Sequence, residues 1–138
     1  MRNRVTPERV ATLEPNQIFV FGSNESGRHG KGAARTALNK FEAKWGCGDG
    51  LQGCSYGIST KDRRLKTLSL DRIQLKVERF VRLAAEHPEL HFLVTAIGCG
   101  LAGYQAKDIA PMFKGAPENV SLPQSFWDAL SLQREVQE

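Results

Sequence analysis

Ile97-Gly98-Cys99-Gly100-Leu101-Ala102-Gly103-Tyr104 follows an apolar run, Phe92 to Ile97, and places three glycines within six residues ahead of a short amphipathic segment. A chain arranged this way sets bare backbone amides beside a phosphate. A second cluster, Gly27-Arg28-His29-Gly30-Lys31-Gly32, also follows an apolar strand, Ile18 to Phe21, and also opens a helix. Two such loops predict one diphosphate held from both sides.

Working outward, Ile18-Phe19-Val20-Phe21 is continuously apolar and β-rich, as for a strand buried on both faces. Ala34, Leu38, Phe41 and Trp45 recur at helical spacing with Lys40 and Lys44 opposite, which predicts a helix running to Gly46. Gly48 to Gly53 has turn composition, and Cys54 to Ser59 reads as a second strand. Ser69 is placed to cap a helix over Leu70 to Glu86, with Ile73, Val77, Phe80 or Val81, and Ala84 on one face and Pro88 beyond its end. Phe92 to Ile97 is a third strand, Ala106 to Phe113 a short helix broken at Pro111, and Pro123 to Val136 a last helix. Residues 1 to 17 are polar and read as a lead-in. Strands alternating with helices predict an α/β fold with a largely parallel sheet, its ligand site beyond the carboxyl ends of the strands.

The chain has 138 residues, 41% of them apolar, which suits one domain over 1–138. Nineteen Lys and Arg against fifteen Asp and Glu leave a net charge of +4, a mild bias toward anionic ligands. Only Lys61 to Lys66, Lys-Asp-Arg-Arg-Leu-Lys, approaches a basic stripe, and a solvated surface loop is the better account of it. No run approaches the roughly 18 apolar residues of a membrane span, and the polar start Met-Arg-Asn-Arg lacks a secretory core, so a cytoplasmic protein is expected. Cys47, Cys54 and Cys99 show no Cys-x-x-Cys spacing, and His29, His87 and His91 add no ligand pattern; reduced thiols and no metal are expected. The sequon at Asn119 has no meaning without secretion.

Gly98 to Gly103 fits G-x-G-x-x-G, the dinucleotide fingerprint. That fingerprint belongs at the first long helix of a βαβ unit, with an acid about 20 residues on; here it comes late, before a helix that Pro111 cuts short. Asn24, in Gly22-Ser23-Asn24, offers a carboxamide to a sugar hydroxyl or closes an Asx turn. Arg28 and Lys31 offer charge to a phosphate. Lys61 lies just past a strand end, where a partly desolvated amine becomes a nucleophile toward an anomeric carbon.

The order of these motifs over about residues 18–113 resembles the macrodomains, which bind ADP-ribose: Gly-Ser-Asn after a strand, Gly-Arg-His-Gly-Lys-Gly-Ala-Ala opening a helix, Ser-Thr-Lys after a strand, and Ile-Gly-Cys-Gly-Leu before a short helix. The wording looks most like the branch of terminal ADP-ribose protein glycohydrolases and of antitoxins that remove ADP-ribose from DNA. The resemblance implies a three-layer α/β/α sandwich with a mixed, largely parallel sheet and no cofactor. It implies that Asn24 meets the distal ribose, that Gly30, Lys31 and Gly32 contact one side of the pyrophosphate, and that Gly98, Cys99, Gly100 and Leu101, with Ala102, Gly103 and Tyr104, wrap the other. It places Lys61 where the branch has a lysine that attacks the ribose to form an imine. The protein glycohydrolases carry an acid directly after Ile-Gly-Cys-Gly-Leu, whereas this chain has Ala102, and a methyl group moves no proton. Asp62 or Asp108 are the carboxylates at hand to replace it, and Phe126 or Trp127 the aromatics available to stack on adenine. Three functions follow: an enzyme cleaving an ADP-ribosyl bond on a protein, nucleic acid or small molecule, with nucleic acid a partner only as modified substrate; a non-catalytic reader of ADP-ribose; and a Rossmann dinucleotide binder.

Overall fold

The computed structural model describes residues 4–137, the last five as backbone; Met1 to Asn3 and Glu138, which the expected domain includes, lie outside the described residues. In chain order the elements are β1 (Val5–Thr6), β2 (Gln17–Asn24), α1 (Gly32–Lys40), β3 (Gly50–Gln52), β4 (Ser55–Lys61), α2 (Leu70–Glu86), β5 (His91–Val94), α3 (Ala106–Ile109), a 3-10 turn over Ala110–Phe113, β6 (Val120–Pro123) and α4 (Gln124–Gln137). They build one six-stranded sheet in the order β1-β6-β5-β2-β4-β3. All neighbours are parallel except β3 and β4, so the sheet is mixed and largely parallel.

Alternation along β2 sorts its side chains to two cores. Ile18 and Val20 face the side covered by α2, α3 and α4, where Ile73, Val77, Phe80, Ala84, Ile109, Phe113 and Phe126 are buried. Phe19 and Phe21 face the other side, with Ala34 and Ala37 of α1 and with Phe41 and Ala43. Helices on both faces of a central sheet make the three-layer α/β/α sandwich, with α1 the single helix on its face among the described residues. Because both faces are covered, β2 reads as an unbroken apolar run.

Helix α2 has the bounds expected from its pattern. The Ser69 hydroxyl accepts the Arg72 amide at 3.3 Å, Phe80 rather than Val81 takes the fully buried position, and Asn119 donates its amide hydrogens to the carbonyls of Ala84, His87 and Leu90 at the helix end. That buried role leaves the Asn119 sequon no exposed nitrogen to modify.

Other boundaries differ from the sequence reading, and tertiary bonds explain why. Helix α1 stops at Lys40 instead of reaching Gly46. The Phe41 carbonyl, which would accept the Trp45 amide in a continuing helix, accepts the Ser55 hydroxyl at 2.7 Å and the Cys54 thiol at 3.2 Å instead. Glu42 then turns the chain with φ of +65°, leaving Trp45 exposed. Strand β5 ends at Val94, not Ile97: the Thr95 amide makes the last ladder bond, to the Val20 carbonyl, which also accepts the Thr95 hydroxyl, and the Ile97 amide then turns back to the Thr95 carbonyl at 2.7 Å. Three short strands escape the apolar pattern: β1 within the polar lead-in, β3 within the glycine-rich turn, and β6 before the last helix, which begins at Gln124.

Candidate functional site

In a parallel sheet, neighbouring strands deliver their following loops to the same edge. Strands β2 and β5 pair from Gln17↔His91 to Val20↔Val94, so the loops at 25–31 and 95–105 leave side by side, with the end of β4 on the other flank of β2. The backbone of Ile97 and Gly98 passes over Gly22, about 3.5 Å from where a Cβ would stand there. The second glycine loop therefore rests on the end of β2.

Within that loop the amides divide into two sets. Cys99 donates to the Ala96 carbonyl (3.2 Å), Gly103 to Gly100 (3.0 Å) and Tyr104 to Gly98 (2.9 Å). Among the described residues, the amides of Gly98, Gly100, Leu101 and Ala102 have no partner. The Tyr104 hydroxyl donates to the Leu68 carbonyl at 2.7 Å, and the Thr67 hydroxyl to the Ala102 carbonyl at 2.9 Å. Both bonds clasp the loop to the hairpin that follows β4. Gly98 must be glycine, since its φ is +75° and a Cβ would stand 3.0 Å from the Ile109 side chain. Gly100 has neither a positive φ nor a neighbour within 4 Å of a built Cβ, so the fold itself does not require glycine there.

Gly30 in the first loop is equally unconstrained. Lys31 precedes α1 in extended conformation; no side chain caps the helix and no acid occupies its first turn. The other α-helices with a described cap differ, α2 using Ser69 and α3 a Gln105/Asp108 capping box. An uncapped helix start of this kind accepts an anion. His29, which the sequence did not mark for this role, anchors the loop. It is fully buried, its ring meets Phe21 edge-on at 5.2 Å, and its Nε2 donates to the Cys47 carbonyl at 3.0 Å.

The Asn24 carboxamide is engaged in its own loop. Nδ2 donates to the Arg28 carbonyl at 2.9 Å, while Oδ1 accepts the Ser26 hydroxyl at 2.7 Å and the Arg28 amide at 3.0 Å. One amide hydrogen stays open. Lys61 is the register partner of Asn24, and its carbonyl accepts the Glu25 amide at 2.9 Å. A bridge to Thr67, whose hydroxyl bonds Ala102, brings Lys61 toward the second loop. Among the described residues no carboxylate pairs with its amine.

The two carboxylates considered as replacements for an acid at 102 hold local structure. Asp62 Oδ1 accepts the Arg64 and Lys66 amides at 2.8 and 3.0 Å, and the Lys66 amide bond is the main cause holding its carboxyl below the usual range. Asp108 Oδ2 accepts the Gln105 amide at the start of α3. Burial, and secondarily the charge of Asp108, push the Cys99 thiol up, away from the thiolate that a cysteine nucleophile needs. Phe126 is in the core, and the Trp127 indole donates to the Arg4 carbonyl at 2.8 Å, so neither aromatic reaches the strand ends. The three cysteines are unpaired. No group of three His, Cys, Asp or Glu residues among the described residues is arranged to hold a metal.

Two solved structures superpose on this chain over most of its length. One, a protein of unknown function from Bacteroides thetaiotaomicron, has a TM-score of 0.58 at 14% identity, covering 82% of this chain and 88% of its own. The other, a macrodomain protein from Streptomyces coelicolor, has a TM-score of 0.55 at 14% identity, covering 83% and 90%. The fold is macrodomain-like. No family model and no curated protein matches the sequence. The long helix that a Rossmann unit needs after Gly103 is replaced in this macrodomain-like chain by the four residues of α3.

Two cavities lie away from the glycine loops. One of about 440 Å³ sits near the amino ends of β2 and β5, beside Gln17, His91 and Leu93. One of about 80 Å³ lies between the β3–β4 edge and α2, beside Tyr56, Lys76 and Arg79.

Proposed function

We propose that this protein binds ADP-ribose across the carboxyl ends of β2, β4 and β5 and hydrolyses an ADP-ribosyl bond on a macromolecule. The observation that carries the binding reading is the pair of adjacent glycine loops with unpartnered amides at 98 and 100–102, beside an uncapped helix start at Lys31. Glycine at 30 and 100, where the fold does not demand it, is accounted for by the close approach of a ligand. The likeness to a macrodomain supports the same ligand. Charge agrees: residues 24–35 and 61–67 carry Arg28, Lys31, Arg35, Lys61, Arg63, Arg64 and Lys66 against Glu25 and Asp62, so the net +4 of the chain is concentrated in the segments at the site.

For turnover, the unprotonated Lys61 amine adds to the anomeric carbon of the distal ribose while the bond to the modified protein or nucleic acid breaks. The leaving group takes a proton, the ring opens to an imine on Lys61, and water then releases ADP-ribose and regenerates the amine. Asn24 directs its open amide hydrogen to a ribose hydroxyl. The reaction uses no metal or cofactor, and the protein acts in the cytoplasm. Ala102 favours a second reading, a reader that holds ADP-ribose without cleaving it, because with Asp62 and Asp108 engaged no acid stands at the branch's position. Incubation with ADP-ribosylated protein and ADP-ribosylated DNA separates the two. Free ADP-ribose released by wild type but not by Lys61→Ala supports the enzyme; binding without release by either protein supports the reader.

A further inference from the structure

Lys61 stands where the sheet stops supporting β4. On its outer edge the ladder with β3 ends at Gly50↔Gly57, Asp49 covers the stretch beyond, and Thr67 bridges Lys61 itself. Its Oδ1 accepts the Ser59 amide and its Oδ2 the Ser59 hydroxyl, each at 2.9 Å. On the inner edge the Glu25 amide holds the Lys61 carbonyl at 2.9 Å. Two carboxylate residues are thus tied to the same strand end, one on each side. Both carboxylates meet one ammonium on α2: Lys76 Nζ lies 3.3 Å from Asp49 Oδ2 and 3.4 Å from Glu25 Oε2. Arg72 adds a longer contact to Glu25 at 3.9 Å, but its side chain is 62% exposed against 20% for Lys76. Exposed pairs contribute little, so Lys76 is the main counter-ion.

We infer that Lys76 is a positioning residue for Lys61: it occupies Glu25 and Asp49 and so keeps the Lys61 amine free of an ion pair. The link to catalysis rests on the hydrolase reading above, whereas the link to amine reactivity does not. Without the Lys76 charge, the carboxylates of Glu25 and Asp49 lose their shared partner. Arg72 keeps only its longer, exposed contact to Glu25, so Lys61, on that same strand end, is drawn toward them, and an ion-paired lysine is a poor nucleophile.

The test is the rate at which Lys61 is acylated by a limiting amine-reactive ester, read by mass spectrometry of tryptic peptides. Lys76→Met should label Lys61 at least about threefold more slowly than wild type. Lys76→Arg should label at the wild-type rate, and adding Glu25→Gln to Lys76→Met should restore much of the loss. Wild-type labelling in folded Lys76→Met overturns the inference. Glu25→Gln alone is decisive even if Lys76→Met does not fold, since it should leave Lys61 labelling unchanged; faster labelling would mean that Glu25 already pairs with Lys61 and would overturn it too. The labelling pattern without any ADP-ribose release upholds the positioning role and defeats only the hydrolase reading.

Discussion

Asn24 and Lys61 are register partners at the ends of β2 and β4, although Ser23 pairs with Ser59 and regular pairing would set Asn24 against Thr60. The register slips by one residue at Thr60, whose hydroxyl turns to the Ser23 carbonyl at 3.4 Å and whose methyl lies 3.9 Å from where a Cβ at Gly98 would stand. Irregularities of this kind re-aim a side chain where a strand ends. Here the slip sets side by side the two residues that the sequence singled out, with the second glycine loop reached through the Thr67 bridge.

Asn24→Ala removes one donor and one acceptor that together make three bonds within residues 24–28. It should destabilise the protein by about 1–3 kcal/mol and weaken ADP-ribose binding, because the loop leading to Gly30 loses its brace. Asn24→Asp, which keeps the acceptor and loses the donor, should fall between. Urea denaturation with calorimetric titration checks both; an Asn24→Ala protein of wild-type stability would show that the brace is dispensable.

Ala102→Asp returns a carboxylate to the loop clasped against the Lys61–Thr67 bridge. General acid catalysis contributes roughly 10²–10⁴-fold where geometry is right, so ADP-ribose release should rise at least tenfold on that scale. A single-turnover assay reads it, with Lys61→Ala/Ala102→Asp expected to stay inactive. Equal release by wild type and Ala102→Asp would remove position 102 from the chemistry.

Asp62 gives the hairpin at 61–67 a pH dependence. Its folded pKa is lowered, first by the Lys66 amide, so its contribution is present above the ordinary carboxylate pKa and is lost as pH falls through the folded value. The hairpin should loosen in acid below the usual Asp range and stay ordered at neutral pH. Amide exchange at Arg64 and Lys66 measures this, and Asp62→Asn should show the loosened pattern at every pH. Protection independent of pH in wild type would contradict it.

How much was legible depended on whether local pattern or distant contact decided each element. Helix α2 announced both ends through Ser69, its apolar stripe and Pro88, and β2 announced itself because a strand buried on both faces has no polar alternation to confuse. Helix α1 misled. Phe41 keeps helical spacing with Ala34 and Leu38, but its carbonyl is taken by Ser55 and Cys54, residues whose position only the finished sheet fixes. The short β1, β3 and β6 exist through pairing rather than propensity. At the site, the glycine loops and Lys61 were readable as motifs. Lys76 and Asp49 were not, since an ion pair between residue 76 of a helix and residue 49 of a turn leaves no periodic trace, and His29 carried no signal of its burial against Phe21.

In the proposed complex, backbone amides around Gly100 receive the diphosphate of ADP-ribose. Gly100→Leu tests it cleanly, because a Cβ there meets no neighbour within 4 Å and no left-handed backbone. Calorimetric titration of ADP-ribose should give binding heat with wild type and none with Gly100→Leu, while the two proteins unfold at the same temperature. No heat from wild type at millimolar ligand, or equal affinity in Gly100→Leu, would contradict the account.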